Sequence, residues 1–130
     1  MPPVLPPPRV VVADDDPLLR GLLADLLARE GFAVVGEAAD GAEAVRLVAE
    51  LRPDVVTMDL EMPRMNGVEA IREIARLPGA PPVLVVSGSA SSELVDEALA
   101  AGAVGRLSKA RLEAELGDAL RAAVAARAAA

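Results

Sequence analysis

The chain has 130 residues, of which 53% are hydrophobic and 1% are aromatic, and its formal net charge is −7. A chain of this size suits one domain with a largely aliphatic core. An acidic balance without clusters of Lys and Arg disfavours direct binding to nucleic acid or to an anionic membrane. Since the chain contains neither Cys nor His, a zinc site of the usual kind, a thiol nucleophile and a Ser-His-Asp triad are excluded.

The proline-rich start of the chain predicts a tail rather than a secretion signal. Residues 1–8 read MPPVLPPP, which is typical of an extended, disordered segment, and we expect the folded domain at residues 9–127. The start lacks the basic region and the uninterrupted apolar run of a secretion signal. No apolar run reaches the roughly 18 residues that cross a bilayer. Together with the absence of Cys, this favours a cytoplasmic protein.

After the tail, five short apolar runs alternate with five amphipathic helical patterns. The runs predict strands at residues 10–13, 33–38, 55–58, 83–86 and 104–107. The third and fourth runs lack polar alternation, which indicates burial on both faces of a parallel sheet. Strict alternation of strands and helices predicts an α/β fold, in which a five-stranded, all-parallel sheet carries helices on both faces.

Capping residues and a leucine stripe define the first predicted helix. Asp16 is suited to be its N-cap, Pro17 fits its first position, and Gly31 can end it with a left-handed backbone. The fourth predicted helix is expected to end at Gly102. The stripe of the first helix that we expect to face the core consists of Leu18, Leu19, Leu22, Leu23, Leu26 and Leu27.

Acidic residues follow two of the predicted strands. Asp14 and Asp15 come directly after the first strand, and Asp59 comes directly after the third. In an open α/β sheet these strands usually flank the point where strand order reverses, so the three carboxylates would share one cleft. At about 5 Å their repulsion costs several kcal/mol, unless one acid stays protonated or a divalent cation lies among them. Mg²⁺ prefers oxygen ligands, and the carbonyl of Glu61 could add one.

Two further polar residues end strands on the same rim of the predicted sheet. Ser87 follows the fourth strand, and Lys109 follows the fifth. A lone Ser in a loop is usually a turn former, and a lone Lys usually extends into water. Polar residues at the ends of four strands on one rim, however, together indicate a functional site. Mg²⁺, Ser87 and Lys109 could each neutralise one oxygen of a phosphoryl group on Asp59, because carboxylates are known to form aspartyl-phosphates.

In combination these residues resemble the receiver domain of bacterial two-component response regulators. The resemblance covers residues 9–125 and rests on the acidic doublet, on Asp59 followed by MPRMNG (62–67), on the serine after the fourth strand, and on the lysine after AAGAVGRLS (100–108). It implies a flavodoxin-like (βα)5 fold with the strand order 2-1-3-4-5.

The resemblance also implies a role for each acidic residue. Asp59 would be the phosphoacceptor. Asp15 and Asp59 would ligate Mg²⁺ directly, together with the carbonyl oxygen of Glu61, while Asp14 would act largely through water.

The resemblance further implies how the site would be used. Ser87 would be the switch hydroxyl that closes on the phosphoryl group, and Lys109 the cation that contacts it. The phosphoryl group would come from the phosphohistidine of a sensor histidine kinase or a phosphotransfer protein. The domain would act as a switch rather than as an enzyme with turnover, either as a monomer or as a phosphorylation-dependent dimer, and its downstream effector stays open.

Two positions depart from the family pattern. Receivers commonly carry Tyr or Phe three positions before the lysine, where its rotamer couples to the switch hydroxyl, but this chain has Arg106 there. Arg106 either replaces that coupling through an ion pair or is a solvated surface arginine, since exposed pairs are weak. The lysine is often followed by a cis proline, whereas Ala110 follows it here, and a trans bond is then the default.

Two other interpretations stay open. A Mg²⁺-dependent phosphatase with an Asp nucleophile would generally carry a second Asp two residues later, but Glu61 occupies that position. A degenerate receiver that acts only as a protein-binding module would not need the Asp, Ser and Lys set. The output is equally open, since the chain suits a stand-alone receiver, a phosphate sink, or part of a longer regulator of the transcription-factor or methylesterase type.

Overall fold

A parallel sheet of five strands forms the centre of the computed structural model, which describes residues 6–129. The strands are β1 (Arg9–Ala13), β2 (Ala33–Ala38), β3 (Val55–Met58), β4 (Val83–Ser87) and β5 (Gly105–Ser108). Their order is β2-β1-β3-β4-β5, and every neighbouring pair is parallel. The α/β class and the strand order are therefore confirmed. The last strand begins one residue later than predicted, after Val104, which is 55% exposed.

Five helices connect and follow the strands. They are α1 (Pro17–Arg29), α2 (Gly41–Leu51), α3 (Gly67–Ala75), α4 (Ser92–Ala101) and α5 (Leu112–Ala129), with a single 3₁₀ turn (Lys109–Arg111) before α5. Helix α5 continues two residues beyond position 127, the predicted end of the domain. Within residues 6–129, none of the helices has the length and apolar character needed to cross a membrane.

The sheet separates two aliphatic cores because successive strand residues point to opposite faces. Helices α2, α3 and α4 cover one face, where Val11 and Met58 are fully buried. Helices α1 and α5 cover the other face, where Val10 and Leu116 are fully buried. Phe32, the single aromatic residue of the chain, lies in the second core.

The predicted tail falls mostly outside the described residues. Residues 1–5 of the segment 1–8 are not described, and residues 6–8 have no regular secondary structure. The carbonyl of Pro8 accepts a hydrogen bond from the amide of Ala33 at 2.8 Å. The chain is thus tied to the sheet one residue before β1 begins.

Helix α1 begins and ends where its capping residues predicted. The carboxylate of Asp16 accepts hydrogen bonds from the amides of Leu18 and Leu19 at 3.0 and 3.4 Å, and Gly31 has a left-handed φ of 89°. The prediction that all six leucines face the core was wrong, however. Leu18 and Leu22 are 74% and 57% exposed, because a helix packed on one face of a sheet cannot bury a stripe that extends over half the helix circumference.

Candidate functional site

Three carboxylates lie together at the carboxyl end of the sheet. Asp14 follows β1 and Asp59 follows β3, and these strands are neighbours, with Ala13 opposite Met58. Asp14 and Asp59 are buried, with 1% and 6% exposure, while Asp15 is exposed. Each of the three offers a carboxylate oxygen, and these oxygens all lie within 4.8 Å of one another. The strand order therefore creates an acidic cluster from residues 44 and 45 positions apart in the sequence.

Lys109 reaches into this acidic cluster from the end of β5. Its Nζ lies 3.0 Å from Oδ2 of Asp14 and 3.6 Å from Oδ2 of Asp59. The Lys109 side chain is 27% exposed and therefore partly buried. Among the side chains of residues 6–129, it is the only cation that forms an ion pair with the cluster.

Burial and mutual repulsion change the proton affinities of these groups. Removal from water, followed by the negative charge of Asp14, raises the pKa of Asp59 to about 6, although the charge of Lys109 opposes the shift. Partial burial alone would lower the pKa of Lys109, but its hydrogen bond to Asp14 and the charge of Asp59 outweigh burial and raise that pKa above its usual value. One ammonium group therefore does not balance the three carboxylates of the cluster.

The loop after β1 is held by hydrogen bonds from both sides. Oδ1 of Asp14 accepts the amide N–H of Asp16 at 2.9 Å, and the main-chain carbonyl of Asp14 accepts a hydrogen bond from Nη1 of Arg20 at 2.7 Å. Nε of Arg20 lies 3.6 Å from Oε1 of Glu37 in β2. Asp16 caps α1 as predicted, so the three adjacent aspartates divide between the cluster and the helix end. Sequence reasoning did not single out Arg20, because its position in α1 carries no local signal.

Ser87 and Glu61 lie at the same carboxyl end of the sheet, and their hydrogen-bond partners include residues outside the acidic cluster. Ser87 is 1% exposed, and its Oγ accepts a hydrogen bond from the amide of Ala90 at 3.1 Å. The amide of Glu61 donates to Oδ1 of Asp59 at 3.5 Å, and its side chain accepts from Oγ of Ser89 at 3.5 Å. Neither residue bonds to Asp14 or Asp15 in the described part of the chain. Their predicted contacts, with a phosphoryl group and a metal ion, stay predictions.

Arg106 occupies the family's aromatic position in β5 without a partner for the predicted ion pair. Its side chain is exposed, and it forms no ion pair with any residue between 6 and 129. Because Arg106 is exposed on the edge strand β5, water solvates its guanidinium group, and no counter-charge is required. The Lys109–Ala110 peptide bond is trans, as predicted.

The cluster has the composition of a site for a hard divalent cation. Three carboxylates face one ammonium group, and two of the three are buried. Mg²⁺ is typically bound through one or two carboxylates, with water completing the octahedron, and the exposure of Asp15 leaves room for solvent. The donor set therefore fits a metal of this class.

Comparison with known proteins agrees with this geometry. The sequence profile of the response regulator receiver domain matches residues 10–121. The chain belongs to the response regulator receiver domain family. This receiver domain is 43% identical over 95 residues to the chemotaxis protein CheY of Thermotoga maritima, covering 73% of this chain and 79% of CheY.

Two further relatives extend the comparison. The receiver domain is 43% identical over 116 residues to the transcriptional regulatory protein LiaR of Bacillus subtilis, covering 88% of this chain and 55% of LiaR. It superimposes on the crystal structure of the response regulator domain of Thermotoga maritima CheB with a TM-score of 0.84 and 36% identity, covering 92% of this chain and 97% of that domain. The chain thus spans about half the length of LiaR but nearly all of the CheB domain.

Proposed function

We propose that this receiver domain accepts a phosphoryl group on Asp59 in a Mg²⁺-dependent reaction and transmits the change to an output. The observation that carries the proposal is the buried carboxylate of Asp59, which lies with Asp14 and Asp15 in one oxygen cluster beside Nζ of Lys109. Membership in the two-component receiver family supports it. A switch of this kind reacts once per signal, so we do not expect turnover of small substrates.

The residues of the site suit attack by a carboxylate on phosphorus. A carboxylate oxygen of Asp59 forms the new P–O bond while the bond from phosphorus to the donor's imidazole nitrogen breaks. Asp59 must be ionised to attack, and with a pKa near 6 it is mostly ionised above pH 7. Lys109 can stabilise the negative charge on the phosphoryl oxygens, and Ser87 is placed at the end of the neighbouring strand β4.

The acidic residues would hold the metal ion. Asp15 and Asp59, with the carbonyl oxygen of Glu61, are the proposed direct ligands, and Asp14 is proposed to act largely through water. Bound Mg²⁺ would supply the positive charge that three carboxylates and a phosphoryl group together require. Lys109 contacts one oxygen of Asp14 and one of Asp59, so its ammonium group would share these carboxylates with the metal.

The proposed phosphoryl donor is a phosphohistidine of a sensor kinase or a phosphotransfer protein in the cytoplasm. A groove that includes Lys109 supports the approach of a protein donor. Its apolar lining includes Leu19, Leu22, Leu23, Leu26 and Leu112, and Arg29 and Glu113 also line it. A donor docked in this groove would lie near Asp59, because Lys109 belongs both to the groove and to the ion pair with Asp59. Likeness to CheY and to LiaR supports either a stand-alone receiver or one joined to an effector domain.

One incubation distinguishes this function from its alternatives. The protein is treated with acetyl phosphate and Mg²⁺, and its intact mass and phosphopeptides are then recorded. We expect one base-labile phosphoryl adduct, located on Asp59 and dependent on Mg²⁺. Continuous release of phosphate from many phosphate esters would instead indicate a phosphatase, and a folded protein that stays unmodified would indicate a binding module.

Two variants control the incubation. Asp59→Asn should eliminate the adduct, because its amide oxygen is not a competent nucleophile. Asp25→Asn removes an exposed carboxylate of α1 that is not part of the cluster, and should leave the adduct unchanged. An adduct that persists in Asp59→Asn would place the phosphoryl group elsewhere and would refute the assignment.

A further inference from the structure

The loop between β3 and α3 follows Asp59 and carries Glu61, and it is fixed at its base by Gly67. The Gly67 amide donates to the carbonyl of Leu60 at 3.1 Å. A Cβ atom at Gly67 would lie 2.2 Å from the carbonyl oxygen of Asp59, so the start of α3 is packed directly against the phosphoacceptor's main chain. Gly67 therefore allows the two ends of the loop to pack closely against each other.

The tip of the loop is held by the start of α2. Nε and Nη2 of Arg64 both donate to Oδ2 of Asp40, at 2.9 and 2.7 Å. One residue later, the carbonyl of Met65 accepts the amide N–H of Gly41 at 2.9 Å. A Cβ at Gly41 would lie 2.3 Å from that carbonyl oxygen. This contact joins two connections, β2–α2 and β3–α3, that are more than 20 residues apart.

The two partners of the Asp40–Arg64 ion pair differ in their exposure to solvent. The Asp40 side chain is only 8% exposed, whereas the Arg64 side chain is 74% exposed. Oδ1 of Asp40 caps α2 by accepting the amide of Glu43 at 2.8 Å, which leaves Oδ2 for the guanidinium group. Hydrogen bonds from the Glu43 amide and from Arg64 lower the pKa of Asp40, so the acceptor stays ionised near neutral pH.

Arg64 also has an unusual backbone. Its φ is 65°, in the left-handed region that residues other than glycine and asparagine seldom adopt. Such a conformation persists only when surrounding contacts determine it. The double donation to Asp40 and the adjacent Met65–Gly41 hydrogen bond are the contacts present here, so the loop geometry depends on them.

We propose that Asp40 and Arg64 form a positioning pair, which sets the main chain of the loop after Asp59 before a metal ion binds. The inference rests on the proposed function, because the loop carries the proposed metal-ligand carbonyl of Glu61. Neither residue touches the cluster; the pair acts through the loop. Because the loop is already ordered in the folded protein, metal binding does not have to order it. The apparent affinity for the metal ion is therefore higher than it would be with a mobile loop.

Two substitutions break the pair while preserving the rest of the structure. Asp40→Asn keeps an oxygen that can cap α2, since Asn is as good an N-cap as Asp, but it presents an amide to Arg64. Arg64→Asn removes the guanidinium group and tolerates the left-handed backbone. The matched control is Arg46→Ala, which removes an exposed ion pair with Glu50 on the same helix, where both side chains are 57% exposed.

The first readout is amide hydrogen exchange of the metal-free protein, followed by NMR. In both variants the Gly41 amide should exchange at least about tenfold faster than in the wild type, because its acceptor Met65 is released. In Arg46→Ala the rate should stay within about twofold. Unchanged exchange at Gly41 in both pair variants would overturn the inference.

The second readout is the Mg²⁺ dissociation constant by calorimetry, which is needed because the chain has no Trp or Tyr for fluorescence. We expect about three- to tenfold weaker binding in each variant, with no further loss in the double variant. The phosphorylation rate at saturating Mg²⁺ should stay within about twofold of the wild type. Wild-type affinity in the variants would overturn the positioning role alone, whereas a wild-type protein that binds no Mg²⁺ would overturn the proposed function as well.

Discussion

At the scale of single residues, Lys109 is the counter-charge of the metal-free site. Its Nζ contacts Asp14 and Asp59 at 3.0 and 3.6 Å, and without it the carboxylates would repel each other with no compensation. Sequence reasoning predicted that Lys109 would contact a phosphoryl group. It did not predict the pairing with Asp14, because that contact depends on the distance between the ends of β5 and β1, which no local pattern encodes.

Replacing Lys109 should destabilise the metal-free protein. We expect Lys109→Met to lower the free energy of unfolding by about 1–3 kcal/mol in chelator, less than for a fully buried pair because the side chain is partly exposed. Mg²⁺ should recover part of the loss. Urea denaturation with and without Mg²⁺ measures both effects. Arg111→Met, which removes a 70% exposed partner of Glu115, should change stability by less than about 0.5 kcal/mol.

The raised pKa of Asp59 predicts that ionising this residue lowers the free energy of unfolding. The folded protein has a pKa near 6 at this residue, against 3.8 for the ordinary carboxyl, so between these values the folded state binds more protons than the unfolded state. Stability therefore falls as pH rises through this window. Asp59→Asn cannot ionise and should gain about 1–2 kcal/mol relative to the wild type at pH 7.5, after allowance for solvent screening, and much less at pH 4.

Chemical denaturation in chelator across this pH range tests that prediction. A stability difference between Asp59→Asn and the wild type that is equal at pH 4 and pH 7.5 would show that ionisation of Asp59 carries no cost. Added Mg²⁺ should reduce the difference at pH 7.5, because it stabilises the ionised carboxylate of the wild type.

At the scale of secondary-structure elements, α1 shows where a sequence pattern overestimates burial. At about 100° per residue, leucines in adjacent pairs four residues apart spread over roughly 180° of the helix. Leu23 and Leu27 lie at the buried end of this arc, with 2% and 0% exposure, whereas Leu18 and Leu22 lie at the other end. The pattern predicts the helix correctly but cannot fix how it is rotated on the sheet.

This rotation predicts different costs for neighbouring leucines. Leu22→Gln should change the free energy of unfolding by less than about 0.5 kcal/mol, because its side chain is already largely in water. Leu23→Ala should cost about 2–5 kcal/mol, since it empties part of the core. Both are measured by urea denaturation, and a similar cost for the two variants would contradict the rotation of α1.

Two glycines predict opposite effects of the same substitution. At Gly67 a Cβ would lie 2.2 Å from the carbonyl oxygen of Asp59, so Gly67→Ala should cost about 1–3 kcal/mol or more. Gly21 lies within α1 with no atom within 4 Å of such a Cβ, so Gly21→Ala should gain about 0.5–1 kcal/mol. Thermal unfolding compares them, and a neutral Gly67→Ala would show that the loop base is not tightly packed.

At the scale of the whole molecule, the sheet topology creates the site. Three strands of the chain were predicted with their observed ends, at residues 10–13, 33–38 and 55–58, apart from one residue at the start of β1. Alternation of strands and helices accounts for the parallel sheet, but the strand order came from resemblance to a family, since alternation alone allows several orders. The convergence of Asp14, Asp15 and Asp59 was predicted separately, from the rule that the first and third strands usually flank the point where strand order reverses.

Contacts between distant connections were the part that the sequence did not reveal. Asp40 and Arg64 are separated by 24 residues, and an arginine in a left-handed conformation has no signature comparable to that of glycine. Arg20 was missed as well, although it lies only six residues from Asp14, because its position in α1 carries no local signal. Such pairs become visible only when the loops have their three-dimensional positions.

The central claim is that one divalent cation lies among Asp14, Asp15 and Asp59 and that Asp59 accepts phosphorus. A crystal structure with Mg²⁺ and beryllofluoride, a phosphoryl analogue, tests it most directly. We predict one Mg²⁺ bound by Asp15, Asp59 and the carbonyl of Glu61, with beryllium bonded to a carboxylate oxygen of Asp59 and its fluorides near Ser87 and Lys109. A metal ion bound elsewhere, or beryllofluoride absent from Asp59 in a folded protein with Mg²⁺ present, would contradict the account.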